Sequence, residues 1–147
     1  MEHIVFDINY DFQNLIISIP SNLFQQSEPF TDKNVFGDEF LAQPLNQLSI
    51  NDSGGLKSQH TMGKGTQAVW YNKNVQIKFR HTSKEAMHEW VELIKFYLNG
   101  KTDFIINGHY YMSCFQEGDI LDEPGRDHNK CHISYLNFIV QVNPNYS

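Results

Sequence analysis

The chain has 147 residues, 40% of them apolar and 14% aromatic, with 11 Phe and 7 Tyr. This suits one folded domain spanning 1–147 and excludes a disordered chain, and no apolar run approaches the ~20 residues of a membrane-spanning helix. The net charge of −6, with 11 basic residues scattered and never in a run, argues against a domain that grips nucleic acid directly.

The start, Met1-Glu2-His3-Ile4, lacks the basic segment of a secretory signal, so a reducing cytoplasm is the expected setting at synthesis. There Cys114 and Cys131 are expected to be free thiols.

Over Asp7–Ile19, the residues Ile8, Phe12, Leu15, Ile16 and Ile19 fall on one helical face, with Asp7 as N-cap and Pro20 as stop. Phe6, Ile8, Tyr10 and Phe12 also alternate, so a strand competes with the favoured helix. Ser21–Pro44 reads as irregular, broken by Pro29, Gly37 and Pro44, with a short strand at Val35-Phe36. Phe24, Phe30, Phe36 and Phe40 in this stretch suit either interface centres or a segment that wraps the sheet and closes the core.

Leu48-Ser49-Ile50 reads as a strand that ends at Asp52-Ser53-Gly54-Gly55, where the glycine pair permits a sharp reversal. Gly54–Thr66 is polar and glycine-rich and is expected to be a mobile loop in an isolated subunit. Within it, Gly63-Lys64-Gly65-Thr66 is rejected as a nucleotide-binding loop. Ser58 and Gln59 stand where the upstream glycine is needed, and no helical pattern follows.

Ala68–Arg80 holds the best strand: Val75, Ile77 and Phe79 alternate with Gln76, Lys78 and Arg80. Thr82 and Glu85 then form a capping box that opens a helix with Ala86, Trp90, Leu93, Ile94 and Tyr97 on its apolar face. Asn99-Gly100 closes that helix. Phe104–Phe115 reads as a strand interrupted at Asn107-Gly108 by a bulge or a tight turn, and His132–Val142 is the final strand. The polar tail, 143–147, is expected to be loose or ordered by a partner. The predicted fold is α+β: a single mixed, mainly antiparallel sheet with two helices packed on one face and long loops.

Catalytic and metal chemistry find little support. His128, Cys131 and His132 offer ligand types, but adjacent strand residues point to opposite faces and cannot easily share one ion. His81, His88, Glu85, Glu89 and Glu92 lie in or beside the second helix without a Ser or Cys nucleophile beside them. No cofactor is expected, and the chain is not read as an enzyme. Asp122, Glu123 and Arg126 are different. An exposed ion pair within one loop contributes only ~0–1 kcal/mol. Across a subunit boundary the same charges set register and partner choice.

Four motifs follow in order: Ile50-Asn51-Asp52-Ser53-Gly54-Gly55; Asn74-Val75-Gln76-Ile77-Lys78-Phe79-Arg80; the second helix; and Asp122-Glu123-Pro124-Gly125-Arg126 followed by Asn137-Phe138-Ile139-Val140. Over roughly 45–142 the chain resembles the tail-terminator or minor capsid proteins of long-tailed bacteriophages. The resemblance implies a virion structural protein with an N-terminal helix that assembles with itself into a ring, usually of six copies. Such a ring caps the tail tube and joins it to the head connector, and DNA passes through its channel without specific binding. It also implies contact roles for Asp52, Gly54, Gly55, Asp122, Glu123 and Arg126. The expected location is the tail at the head-tail interface, with host cytoplasm as the site of assembly. The alternatives are a head-tail joining or head-completion protein, and a small non-viral binding domain.

Overall fold

The computed structural model describes residues 7–37, 40–60, 69–122 and 130–143. They form two helices, α1 (Ile8–Ile17) and α2 (Lys84–Leu98), and one sheet. Its strands are β1 (Val35–Gly37), β2 (Gln47–His60), β3 (Val69–His81), β4 (Lys101–Ile106), β5 (His109–Gln116), β6 (Leu121–Asp122) and β7 (His132–Asn143). The strand order is β1-β2-β3-β7-β5-β4, and β6 pairs with β7 beyond the end of β5. Only β1 and β2 run parallel. The architecture is therefore the expected α+β fold, with a mixed, mainly antiparallel sheet and both helices on one face.

α1 starts where the helical reading puts it. The Asp7 carboxylate accepts from the Asn9 N–H at 3.0 Å and satisfies one of the free donors of the first turn. Ser18 closes the helix just before Pro20. Ile8, Phe12, Leu15, Ile16 and Ile19 are all buried, so the strand alternative falls away. α1 lies across the sheet, touching β1 and β2 on one side and β4 on the other.

α2 is capped one residue later than the sequence suggests. Ser83, not Thr82, is the N-cap: its hydroxyl accepts from the Ala86 N–H at 3.3 Å. Glu85 therefore stands in the second helical position, outside the capping-box position. The buried face is also broader than the predicted one. Met87, Val91 and Leu98 join Ala86, Trp90 and Ile94, while Leu93 is only half-buried.

Strand alternation supplies the other half of the core. Leu48 and Ile50, then Val75, Ile77 and Phe79, then Leu136, Phe138, Val140 and Val142 all point into the helix-covered layer and are buried. In a sheet paired strand by strand, register fixes which face each side chain meets. The hairpin between β4 and β5 turns at Asn107-Gly108, where both residues have positive φ (53° and 79°). That pattern matches a tight two-residue hairpin turn and decides between the two alternatives for this interruption.

The largest correction concerns Asp52–Gly55. The chain does not reverse there. β2 continues to His60, pairing with β3 as far as His60 opposite Val69, and the register shifts between Asp52 and Gly55. A glycine pair inside a strand marks a bulge as readily as a turn, and the partner strand decides which. Residues 54–60 of the predicted loop are thus strand; 61–66 lie outside the described residues.

The stretch 21–44 is largely irregular, as expected, and two of its phenylalanines, Phe24 and Phe30, close the core. Phe30 is buried, 5.1 Å from the Trp90 ring, and Phe24 meets Phe30 edge-on at 5.2 Å. Phe36 is half-buried in β1, and Phe40 lies under the Arg80 guanidinium at 5.0 Å.

Candidate interaction surface

The face of the sheet turned away from the helices is covered by neither of them. Alternation along β4, β5 and β7 leaves Ile105, Phe115 and Ile139 exposed, with Ile105 at 58% and Phe115 at 51%, and Met112 is exposed at the register shift of β5. Phe115 and Ile139 are direct cross-strand partners, so they form one contiguous apolar pair. Beside them on β7 and β3, Lys78 lies over the Tyr135 ring at 5.9 Å. Polar Gln76, Asn137 and Gln141 continue this face. Scattered exposed apolar residues are ordinary, but a clustered group on an unpartnered sheet face marks a contact site.

The outer side of α2 is the second exposed surface. Glu85, Glu89, Glu92 and Phe96 follow at i, i+4, i+7 and i+11, one line along the helix. Phe96 is 84% exposed, the most exposed of the large apolar side chains among the described residues. Glu89 is the member of this line with a structural task. Its carboxylate accepts from the N–H groups of Gln25, Gln26 and Ser27 at 3.0–3.1 Å and from the Ser27 hydroxyl at 2.5 Å. Desolvation pushes this carboxyl up, but the Ser27 hydroxyl and the three backbone donors outweigh it, and it stays below its ordinary value.

Two polar clusters are candidates for chemistry. Asp11, fully buried on α1, accepts from the Tyr111 hydroxyl at 2.5 Å and the Asn107 amide at 2.9 Å, and lies 2.7 Å from His109 Nδ1. Burial, then the Asp11 hydrogen bond and charge, hold the Tyr111 phenol far above its ordinary value, so it stays a donor. Glu28 lies 2.6 Å from His81 Nε2, while His81 Nδ1 accepts from the Ser83 N–H and Trp90 Nε1 donates to the Glu28 carbonyl. Each cluster joins separate elements: α1 to the β4–β5 hairpin, and the irregular segment to α2 and the end of β3. The serine beside His81, Ser83, offers it the backbone N–H, while its hydroxyl caps α2. Burial pushes the Cys114 thiol up to about 12, only partly opposed by Lys101, so it is no nucleophile near neutral pH.

A shallow cleft of 670 Å3 lies at the surface between 28–34 and 43–46, with Glu28, Lys33 and Asn46 on its walls. Beside it the 41–45 turn is held by the sheet. Arg80 donates to the carbonyls of Leu41, Pro44 and Leu45 at 2.7–2.9 Å, and the Gln47 amide donates to those of Leu41 and Pro44.

The predicted contact residues do not gather in one described place. Asp52 is exposed and pairs with Lys73 of its own chain at 3.2 Å. Gly54 and Gly55 lie in the continuing β2 strand. Asp122 ends the two-residue β6, opposite Ser134. Glu123 and Arg126 lie outside the described residues. The exposed sheet face and the α2 stripe were not singled out as contacts. The signal for the first was present in the alternation of Ile139 with buried Phe138 and Val140.

Both cysteines are buried and are not bridged to each other. Among the described residues no group of three His, Cys, Asp or Glu side chains is placed to hold a metal ion, and no helix is long and apolar enough to cross a membrane. No protein-family model matches the chain, and no curated protein does.

Proposed function

We propose that this chain is a structural assembly protein: the subunit of a tail-terminator ring that caps a phage tail tube and joins it to the head connector. The observation that carries the reading is the uncovered sheet face, with Phe115 and Ile139 paired on it and Ile105 and Met112 nearby. An exposed apolar group on a regular, rigid element suits lasting subunit contact better than turnover of a small substrate. The ordered motifs from Asp52 to Val140 support the viral assignment, and the net charge of −6 suits a channel wall that DNA passes without sticking.

Sedimentation of the purified chain, with tail-length measurement in an assembly mixture, tests this. A species of several 17.1 kDa subunits that fixes tube length when added to polymerising tail-tube protein is the expected outcome. A chain that stays monomeric and leaves tube growth unchanged overturns it. The cleft beside Glu28 and Lys33 favours a second reading, a small binding domain, which predicts the monomer.

A further inference from the structure

We propose that the cleft beside Glu28 binds a small zwitterion, an amino acid or short peptide with an apolar side chain, its ammonium on Glu28 and its carboxylate on Lys33. The proposal goes beyond the ring reading and names a ligand for the binding-domain reading, on whose cleft it rests. Every residue it uses belongs to one copy, so it holds for a ring subunit and for a monomer alike.

The first observation is a carboxylate fixed in place. Glu28 is half-exposed on the cleft wall, and its Oε1 lies 2.6 Å from His81 Nε2. His81 is itself held. Its Nδ1 accepts from the Ser83 N–H at 2.9 Å, so the ring proton sits on Nε2 and is donated to Glu28. The ring is buried and edge-on to Trp90. Asn46 donates its amide to the other Glu28 oxygen at 3.4 Å, and its own side-chain oxygen accepts from the Thr82 N–H at 2.9 Å. Desolvation pushes the Glu28 carboxyl up, but its own backbone N–H, His81 and Asn46 outweigh it, so Glu28 is an anion at neutral pH. A carboxylate accepts at about four sites, which leaves this one capacity for a further donor.

The second observation is the charge that shares the cleft. Among the described lining residues only Glu28 and Lys33 are charged, one of each sign. Lys33 makes no ion pair among the described residues. The Thr31 hydroxyl accepts from the Lys33 N–H at 3.2 Å and keeps its own proton to donate beside the ammonium. Asp32 and Arg80 do not line the cleft, and Arg80 is spent on the carbonyls of Leu41, Pro44 and Leu45. A ligand with a single charge is attracted by one of the two groups and repelled by the other. A ligand with both charges satisfies both, and Pro44 and Leu45 offer its body an apolar surface. The volume of 670 Å3 falls within the ~300–1,000 Å3 of small-molecule sites.

The test follows the backbone amide signals of Lys33 and Asn46 in the full chain by NMR at pH 7, during titration with leucine, leucyl-leucine, leucinamide and N-acetylleucine. Leucine or leucyl-leucine should move both signals, and the tighter of the two tells a free amino acid from a peptide. Leucinamide lacks the carboxylate and N-acetylleucine lacks the ammonium. Each should bind roughly tenfold more weakly, the worth of one charge-assisted hydrogen bond. Lys33→Met should erase the preference over leucinamide, and Glu28→Gln the preference over N-acetylleucine, with unchanged circular dichroism showing that each variant folds. Leucinamide or N-acetylleucine binding wild type as tightly as leucine makes this a site for one charge and overturns the zwitterion. Signals that stay still with all four probes overturn the proposal outright. Sedimentation of the same sample separates ring from monomer, so failure of this ligand is distinguishable from failure of the binding-domain reading.

Discussion

Trp90 links α2 to the irregular segment and to the end of β3. Its ring is fully buried, tilted against Phe30 and edge-on to His81, and its N–H donates to the Glu28 carbonyl at 2.9 Å. Trp90→Ala should cost about 3–5 kcal/mol by leaving a cavity, enough to unfold a marginal domain. Urea denaturation checks this, and a midpoint near that of wild type would mean the helix face is misplaced. Asp11 offers a graded comparison. Tyr111→Phe removes one donor and leaves the carboxylate with Asn107 and His109, so it should cost about 0.5–1.5 kcal/mol. Asp11→Ala strips the acceptor from the buried Tyr111 hydroxyl, at about 1–3 kcal/mol for that group alone, and should be clearly the worse of the two. Equal losses would show that the carboxylate adds nothing beyond its bond to Tyr111. The role of Trp90 was legible in the sequence from its 3–4 spacing with Ala86 and Ile94. The Asp11 cluster was not, because its members are about 100 residues apart and only the hairpin turn at Asn107-Gly108 brings them to α1.

At the scale of elements, the helix ends and the irregular segment invite direct tests. Ser83→Ala should destabilise by about 0.5–2 kcal/mol through loss of the N-cap bond. Thr82→Ala, outside the cap, should stay within about 0.5 kcal/mol of wild type. The reverse order in thermal melts would restore the cap expected from sequence. The segment 25–27 is tied to α2 through Glu89, and the tie depends on charge. The Glu89 carboxyl lies below its ordinary 4.5 in the folded chain. Its contribution is therefore complete above about pH 4.5 and fades as pH falls through the folded value. Glu89→Gln should lower stability at pH 7 and narrow its gap to wild type at acid pH; a gap that is constant across pH would contradict the role of the charge. The sequence marked this stretch as irregular with an excess of Phe, but left its place open. What decided it was the apolar slot over Trp90, which accepts Phe30 and leaves Phe24, Phe36 and Phe40 partly outside.

For the whole molecule, the two-layer build places a helix stripe of Glu85, Glu92 and Phe96 on one side and, on the other, a sheet face that neither helix covers, with Phe115 and Ile139 paired on it. Assembly through a ring makes a further expectation for the segment around Asp122, Glu123 and Arg126. If those charges meet a neighbour, Arg126→Glu sets like charge against its partner carboxylate and weakens ring formation or tail joining, more strongly at low salt. The melting temperature of the separate subunit should stay unchanged. Sedimentation and a tail-joining assay at two salt concentrations decide it, and normal rings with normal joining remove this segment from the contact.

The sequence alone determined the α+β class, α1 with its Asp7 cap, the apolar face of α2 and the alternation of β3 and β7. Each of these rests on period and local chemistry, which short windows carry in full. Tertiary structure alone decided the rest. It ran β2 through the Asp52–Gly55 glycines, because β3 supplies cross-strand partners that no local rule anticipates. It moved the cap of α2 by one residue, since neighbouring Thr and Ser are equally able to accept the N–H and packing selects between them. It also decided which apolar residues stay outside. Phe96 and Phe115 resemble core residues in composition, and only the layer above or below each of them determines that they face solvent.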